Sequence, residues 1–132
     1  MSFAEVGAAA IAAGIDDMYK AFLAGDRDRF DEHLHEDVTT WETHLPGPLR
    51  NRRELDEYRS TRDSAGQRPR LAVLAATEKR IDVWGEFGVA RYLLVARETD
   101  AGPEQQSRVT DVLRCVDGRW RIVHHHSELV RP

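Results

Sequence analysis

The chain has a single cysteine, Cys115, in 132 residues. No internal disulfide can form, so the fold must rest on its core, and that usage fits a reducing, cytoplasmic setting. No apolar run reaches the roughly 20 residues that a membrane span requires. The run Val6 to Ile15 is preceded by Glu5 rather than by a basic segment, and Asp16 and Asp17 follow it. It therefore reads as one side of a buried helix, not as a signal segment. Positive charge is not in excess either. With 19 Lys and Arg against 23 Asp and Glu the net charge is -4, and no dense basic run or nucleic-acid motif is present. Neither nucleic acid nor membrane is an expected partner. Internal repeats and long linkers are also missing, so residues 1–132 read as one domain.

What is present suits a packed globular domain: 41% of residues are hydrophobic and 32% charged. From about Ala4 to Ala24, apolar residues recur at steps of three and four (Ala8, Ile11, Ile15, Met18, Phe22), which predicts an amphipathic helix closed by Gly25. Asp26 caps a short second helix through Leu34, with Phe30 and Leu34 on its buried side. Asp37 to Glu42 is β-branched and reads as a strand, whereas His44 to Arg50, with Pro46 and Pro48, reads as a loop. Asn51, with Glu54 three residues on, opens a third helix to about Thr61, with Leu55 and Tyr58 as buried anchors. Two extended runs follow, Arg70 to Trp84 and Val89 to Glu98. The reading is an α+β fold with helices on one face of a mainly antiparallel sheet.

The last stretch, Arg108 to Glu128, centres on Asp117-Gly118, a strong hairpin signal. Counting outward from that turn pairs Leu113 with Ile122, Asp111 with His124 and Val109 with His126. One face then carries Asp111, Leu113, Cys115, Trp120, Ile122, His124 and His126. The other carries Thr110, Val112, Arg114, Val116, Arg121, Val123 and His125, a mixture that fits a homodimer interface on the outer sheet face. An acid opposite an imidazole on an apolar face must satisfy its partner or be costly to bury. Asp111 and His124 are therefore the leading site candidates, either as an acid–base pair or as a structural one.

The order of elements and several motifs resemble the NTF2-like superfamily, especially its SnoaL-like branch. The matching pieces are Leu23-Ala24-Gly25-Asp26, His35-Glu36-Asp37-Val38, Pro46 to Asn51, and Asp117 to Ser127. The resemblance spans the chain and implies a cone-shaped fold: three helices against a curved sheet, open at one end to a mostly apolar pocket. Members include ketosteroid isomerases, polyketide cyclases and the association domain of calmodulin-dependent kinase, so the reaction does not follow from the fold. By local matching, Glu42 sits where the isomerases hold their proton-abstracting aspartate, and Asp111 where they hold a protonated aspartate. Their oxyanion tyrosine falls at Met18, with Tyr19 one step off and turned elsewhere, which argues against steroid isomerisation. His124 and His126 look like the histidines ending the last strand of related sequences.

The expected function is binding of a small hydrophobic or ring-containing molecule, with cofactor-free acid–base catalysis by Asp111, His124, His126 and Glu42 if the protein is an enzyme. Trp41, Tyr58, Trp120, Met18, Phe22 and Leu113 are the expected pocket lining. Trp41 and Glu42 alternate along one strand, and the sequence leaves open which of them faces the pocket. The alternative is a non-catalytic binding or homo-oligomeric association domain. His124 to His126 with Asp111 could hold a metal, but no second ligand cluster exists, since His33, His35 and His44 fall in helix and loop, and no metal is expected. Arg52 and Arg53 read as the solvated side of the third helix, and Arg50 as a charge near the pocket mouth.

Overall fold

A computed structural model of the chain describes residues 1–43 and 45–131, the side chain of Pro46 excepted. Helix α1 covers Phe3–Leu23; Ser2 caps it by accepting a hydrogen bond from the Glu5 backbone N–H. Its stripe Gly7, Ile11, Ile15 and Met18 is buried, as the periodicity requires. Gly25, at φ 72, carries the chain into α2, Arg27–Asp31, whose cap is Asp26. The helix stops short of Leu34. The Ile122 N–H donates to the His33 carbonyl, so the sheet captures the backbone there and Leu34 opens β1, Leu34–Glu42.

The segment read as a loop is instead strand β2, Leu45–Arg50. Its two prolines are tolerated because β2 is the outermost strand and pairs only with β1. His44, assigned to that loop, lies outside the described residues. Helix α3, Arg52–Ser64, starts on the expected capping box between Asn51 and Glu54. It is tied to α2 by Arg59, which is 8% exposed and donates to Asp31 at 2.7 Å and to Asp56. Tyr58 is not a core anchor. Its ring is half-buried, with the guanidinium groups of Arg50 and Arg62 over it at 5.8 and 5.9 Å.

Strands β3 (Val73–Trp84), β4 (Phe87–Arg97), β5 (Gln105–Val116) and β6 (Arg119–Leu129) complete a six-stranded sheet of order β2-β1-β6-β5-β4-β3. Among the described residues only the β1–β6 contact is parallel. The Asp117-Gly118 turn forms as read: both residues have positive φ, 53 and 76, the geometry that matches strand twist in a two-residue hairpin. Helix α1 lies across the inner face. Ile11, Ile15, Met18 and Tyr19 pack there against Val38, Ala90, Tyr92, Val109, Leu113 and Ile122. This close approach depends on Gly88, where a Cβ would stand 2.8 Å from the Ile11 Cδ1. The α+β layering is as expected, and the third helix follows the first strand as read, with β2 in place of the loop between them.

Candidate acid–base site

The site is created by an irregularity in the last hairpin. The ladder pairs Leu113 with Ile122, but the next pair is Val112 with His124. Val123 is thus an extra residue in β6, a β-bulge, and beyond it every side chain exchanges faces relative to a strict count. His125, not His124, comes to lie opposite Asp111 on the inner face. The Asp111–His124 pairing read from the turn is therefore corrected to Asp111–His125, as is the placing of His125 on the outer face. Energetics explain the choice. Strict alternation would bury two imidazoles beside one carboxylate, whereas the bulge buries one imidazole with one carboxylate.

The result is a continuous polar chain through the core. The His125 Nδ1–H donates to the Asp111 Oδ1 at 2.6 Å, and the Tyr92 hydroxyl donates to the Asp111 Oδ2 at 2.6 Å. With the Tyr92 proton committed to Asp111, Tyr19 supplies the proton of the 2.7 Å contact between the two phenols. Asp111 is 0% exposed, Tyr19 5% and Tyr92 4%. At the other end the His125 Nε2 stands 3.6 Å from the Glu42 Oε1, and the Glu42 side chain is 33% exposed. Glu42 is thus the one member of the chain that solvent reaches freely.

Electrostatics fix the protonation states. Burial opposes a charged ring, but the Asp111 carboxylate, by charge and by hydrogen bond, and Glu42 outweigh it and raise His125 to about 9. At neutral pH the ring is an imidazolium, a donor rather than a base. Both phenols are pushed well above the usual tyrosine value, chiefly by burial, and stay protonated. Glu42, facing an imidazolium and open to water, is placed to accept a proton.

The other expected site residues separate into three places. Glu42 faces inward, which settles its alternation with Trp41: the indole is 46% exposed on the outer face, edge-on to His124 and His126 at 5.6 and 5.8 Å. The His124 Nδ1 pairs with the Thr39 hydroxyl at 2.8 Å, and burial lowers the pKa of that ring. Met18, Leu113 and Trp120 do meet, near the end of the sheet that carries the Asp117-Gly118 turn. The cavity they line with Ile11, Ile15 and Ile122 is only about 20 Å³, room for one water and far below the roughly 300 Å³ of a ligand pocket. Phe22 packs edge-on against Phe30, under the Arg68 guanidinium, and Tyr58 lies on α3. A metal set of His124, His126 and Asp111 is divided by the sheet, because the acid faces inward and these two histidines outward.

Three members of the chain were not legible as such: His125, Tyr19 and Tyr92. Tyr19 is not turned away but reaches the centre from α1, one step from the position matched to the isomerase tyrosine. The usable signal for Tyr92 was its phase with Ala90 on β4, opposite Asp111.

A SnoaL-like domain model matches residues 11–131. Among solved structures, an NTF2-like protein of unknown function from Pseudomonas putida is 14% identical, with TM-score 0.78 over 96% of this chain and 89% of that one. The association domain of the Caenorhabditis elegans calmodulin-dependent kinase CaMKII is 18% identical, with TM-score 0.79 over 94% and 96%. A putative ketosteroid isomerase from Shewanella frigidimarina is 20% identical, with TM-score 0.68 over 90% and 94%. Among curated proteins none matches. These likenesses carry the fold and not the reaction. The chain belongs to the SnoaL-like domain family.

Proposed function

We propose that the chain binds a small ring-containing molecule at the Glu42 end of the inner sheet face and moves a proton on it without a cofactor. The observation that carries this reading is the contact between the accessible Glu42 carboxylate and the buried His125–Asp111 ion pair. Burying an imidazolium and a carboxylate costs stability that an apolar pair would not, and such perturbed groups cluster at working sites. Glu42 takes the proton; the His125 Nε2–H faces the oxygen on which charge develops; Asp111 holds the ring, and Tyr92 and Tyr19 hold Asp111. The closed turn end confines the ligand to the Glu42 end, in place of the deep apolar pocket expected from the family. The reaction belongs to the isomerisation, cyclisation, dehydration or hydrolysis class. The test is NMR-monitored deuterium exchange into a panel of ring ketones. The protein should accelerate exchange at an acidic C–H, and Glu42→Gln should lower that rate by about 10²-fold or more. Exchange insensitive to Glu42→Gln, or none with any ketone, would sink the reading.

The outer face supports a second, compatible role as an association surface. Trp84 is 64% exposed, Phe87 48% and Val116 38% near the turn end of this face, and exposed apolar side chains grouped in this way suit an interaction site. Homodimerisation through this face predicts that Val112→Lys, at the centre of β5 between Val89 and His124, yields a monomer in sedimentation velocity. An unchanged sedimentation coefficient would remove that role.

A further inference from the structure

Two charged features of the surface lie on neighbouring strands, β6 and β1, and the Glu42 site uses neither. The first is a group of arginines on the outer face beside the Asp117-Gly118 turn. Arg114 stands directly opposite Arg121, and Arg119 lies two residues before Arg121 on the same face. Like charges directly opposite weaken a strand pair. Among the described residues Arg119 and Arg121 form no ion pair, and Arg114 reaches only the Glu86 carboxylate, at 4.0 Å. Asp117 borders the group, and Asp82, farther across the face, is shared by Arg80 and Arg91. The second feature is a groove of about 730 Å³ between the start of β1 and α3. Its carboxylates are Glu36, Asp37, Asp56 and Glu57, against the two cations Arg52 and Arg53. Both cations are committed already, Arg52 to Asp31 and Asp56, and Arg53 to Glu57. Glu36 and Asp37 have no arginine or lysine partner among the described residues. Between the Leu34–Ile122 and Thr39–His124 pairs, β1 has four residues where β6 has only Val123. That excess holds Glu36 and Asp37 out in solvent, and the Asp37 side chain is 84% exposed.

We infer that these are the two halves of one self-complementary contact: the Arg119–Arg121 corner of one copy enters the β1–α3 groove of a second copy. The reverse contact closes a two-fold dimer. This rests on the association role proposed above and names the charges that specify it. Each surplus is left open by the single chain, and each is the counter-charge of the other. A two-fold contact needs both halves on one side of the molecule. Arginines on β6 and acids on its parallel neighbour β1 meet that need. Phe87, next to Arg114 in the ladder, and Trp84 opposite Phe87 add apolar area to the corner. An unrelated acidic partner would answer the arginines and leave the groove without a counter-charge. A second copy answers both.

The experiment is sedimentation velocity of two charge-reversed chains, alone and mixed. One carries Arg119→Glu with Arg121→Glu, the other Glu36→Arg with Asp37→Arg. Glu36, Asp37 and Arg119 are exposed, and Arg121→Glu sets a carboxylate opposite Arg114, so the strand pair itself gains an attraction. The parent should dimerise, more weakly as salt is raised. Each variant alone should dimerise about tenfold more weakly or worse, and an equimolar mixture should sediment as a heterodimer. A mixture that stays as dissociated as its components would overturn the contact. Variants that each dimerise as well as the parent would overturn it too, while leaving the association face around Val112 standing. A parent that stays monomeric yet binds a glutamate-rich peptide would assign the arginines to another acidic partner and overturn the second copy. A parent that stays monomeric and binds no such peptide would remove the association role together with this inference.

Discussion

Asp111→Asn is expected to remove roughly 3–5 kcal/mol of stability at pH 6, the usual consequence of depriving a buried charge of its partner. For a domain of this size the melting temperature should fall by about 10 °C or more. The carboxylate is fully buried and receives hydrogen bonds from His125 and Tyr92 at 2.6 Å each. An amide at that position offers one acceptor in place of two and no charge. The loss should depend on pH in a defined direction. The folded pKa of His125, about 9, lies above the ordinary value of 6.5. Its contribution is therefore complete below about pH 6.5 and fades as pH rises through 9. Thermal unfolding of parent and variant at pH 6 and pH 10 measures this. The gap between them should narrow at the higher pH, and an equal gap at both would mean that no ion pair holds the centre together.

Ile15→Ala should cost roughly 2–5 kcal/mol, as large-to-small changes in a closed core do. Ile15 is 2% exposed and borders the small cavity that it shares with Met18, Leu113 and Trp120. Three carbon atoms removed there enlarge a mostly apolar void, whose one polar lining side chain is His33. The variant should gain affinity for xenon or benzene, and saturating gas should restore part of the lost melting temperature. Denaturant titration with and without xenon checks both halves. A loss under 1 kcal/mol would mean that α1 settles into the gap. The turn end lies apart from Glu42 and His125, so the deuterium exchange proposed for Glu42 should survive in the folded fraction.

How far these features can be read without coordinates depends on their range along the chain. The Asp117-Gly118 turn and the Asn51–Glu54 capping box are short-range chemistry, complete within four residues, and both form as read. The helical stripe of α1 needs only a period, and it too is plain. Strand β2 is different. Prolines argue against a ladder unless the strand has one unpaired edge, and that edge is a property of the assembled sheet. The bulge at Val123 is the costliest omission, because one unpaired residue reverses the faces of all that follow and so exchanges His124 for His125. Nothing near Ile122-Val123 announces it. It is chosen by what lies on the inner face, namely one buried acid contributed by β5 and two phenols contributed by α1 and β4. Glu42 could be preferred to Trp41 by family likeness, yet the proof lay in a parallel strand from the far end of the chain.

That parallel strand bears on how the centre comes into being. His125 and Asp111 are 14 residues apart, inside one hairpin, whereas β1 meets β6 across separations such as the 85 residues between Thr39 and His124. Closing the longer loop costs about 1.5 kcal/mol more in chain entropy than closing the shorter one, and contacts of long range are the slow ones. The ion pair can therefore assemble from local contacts, while Glu42 joins it only when the first strand docks against the last. On a ribosome, that docking waits for nearly the whole chain to emerge. The half of the site that stores charge is local, and the half that brings Glu42 to it is the final seam of the fold.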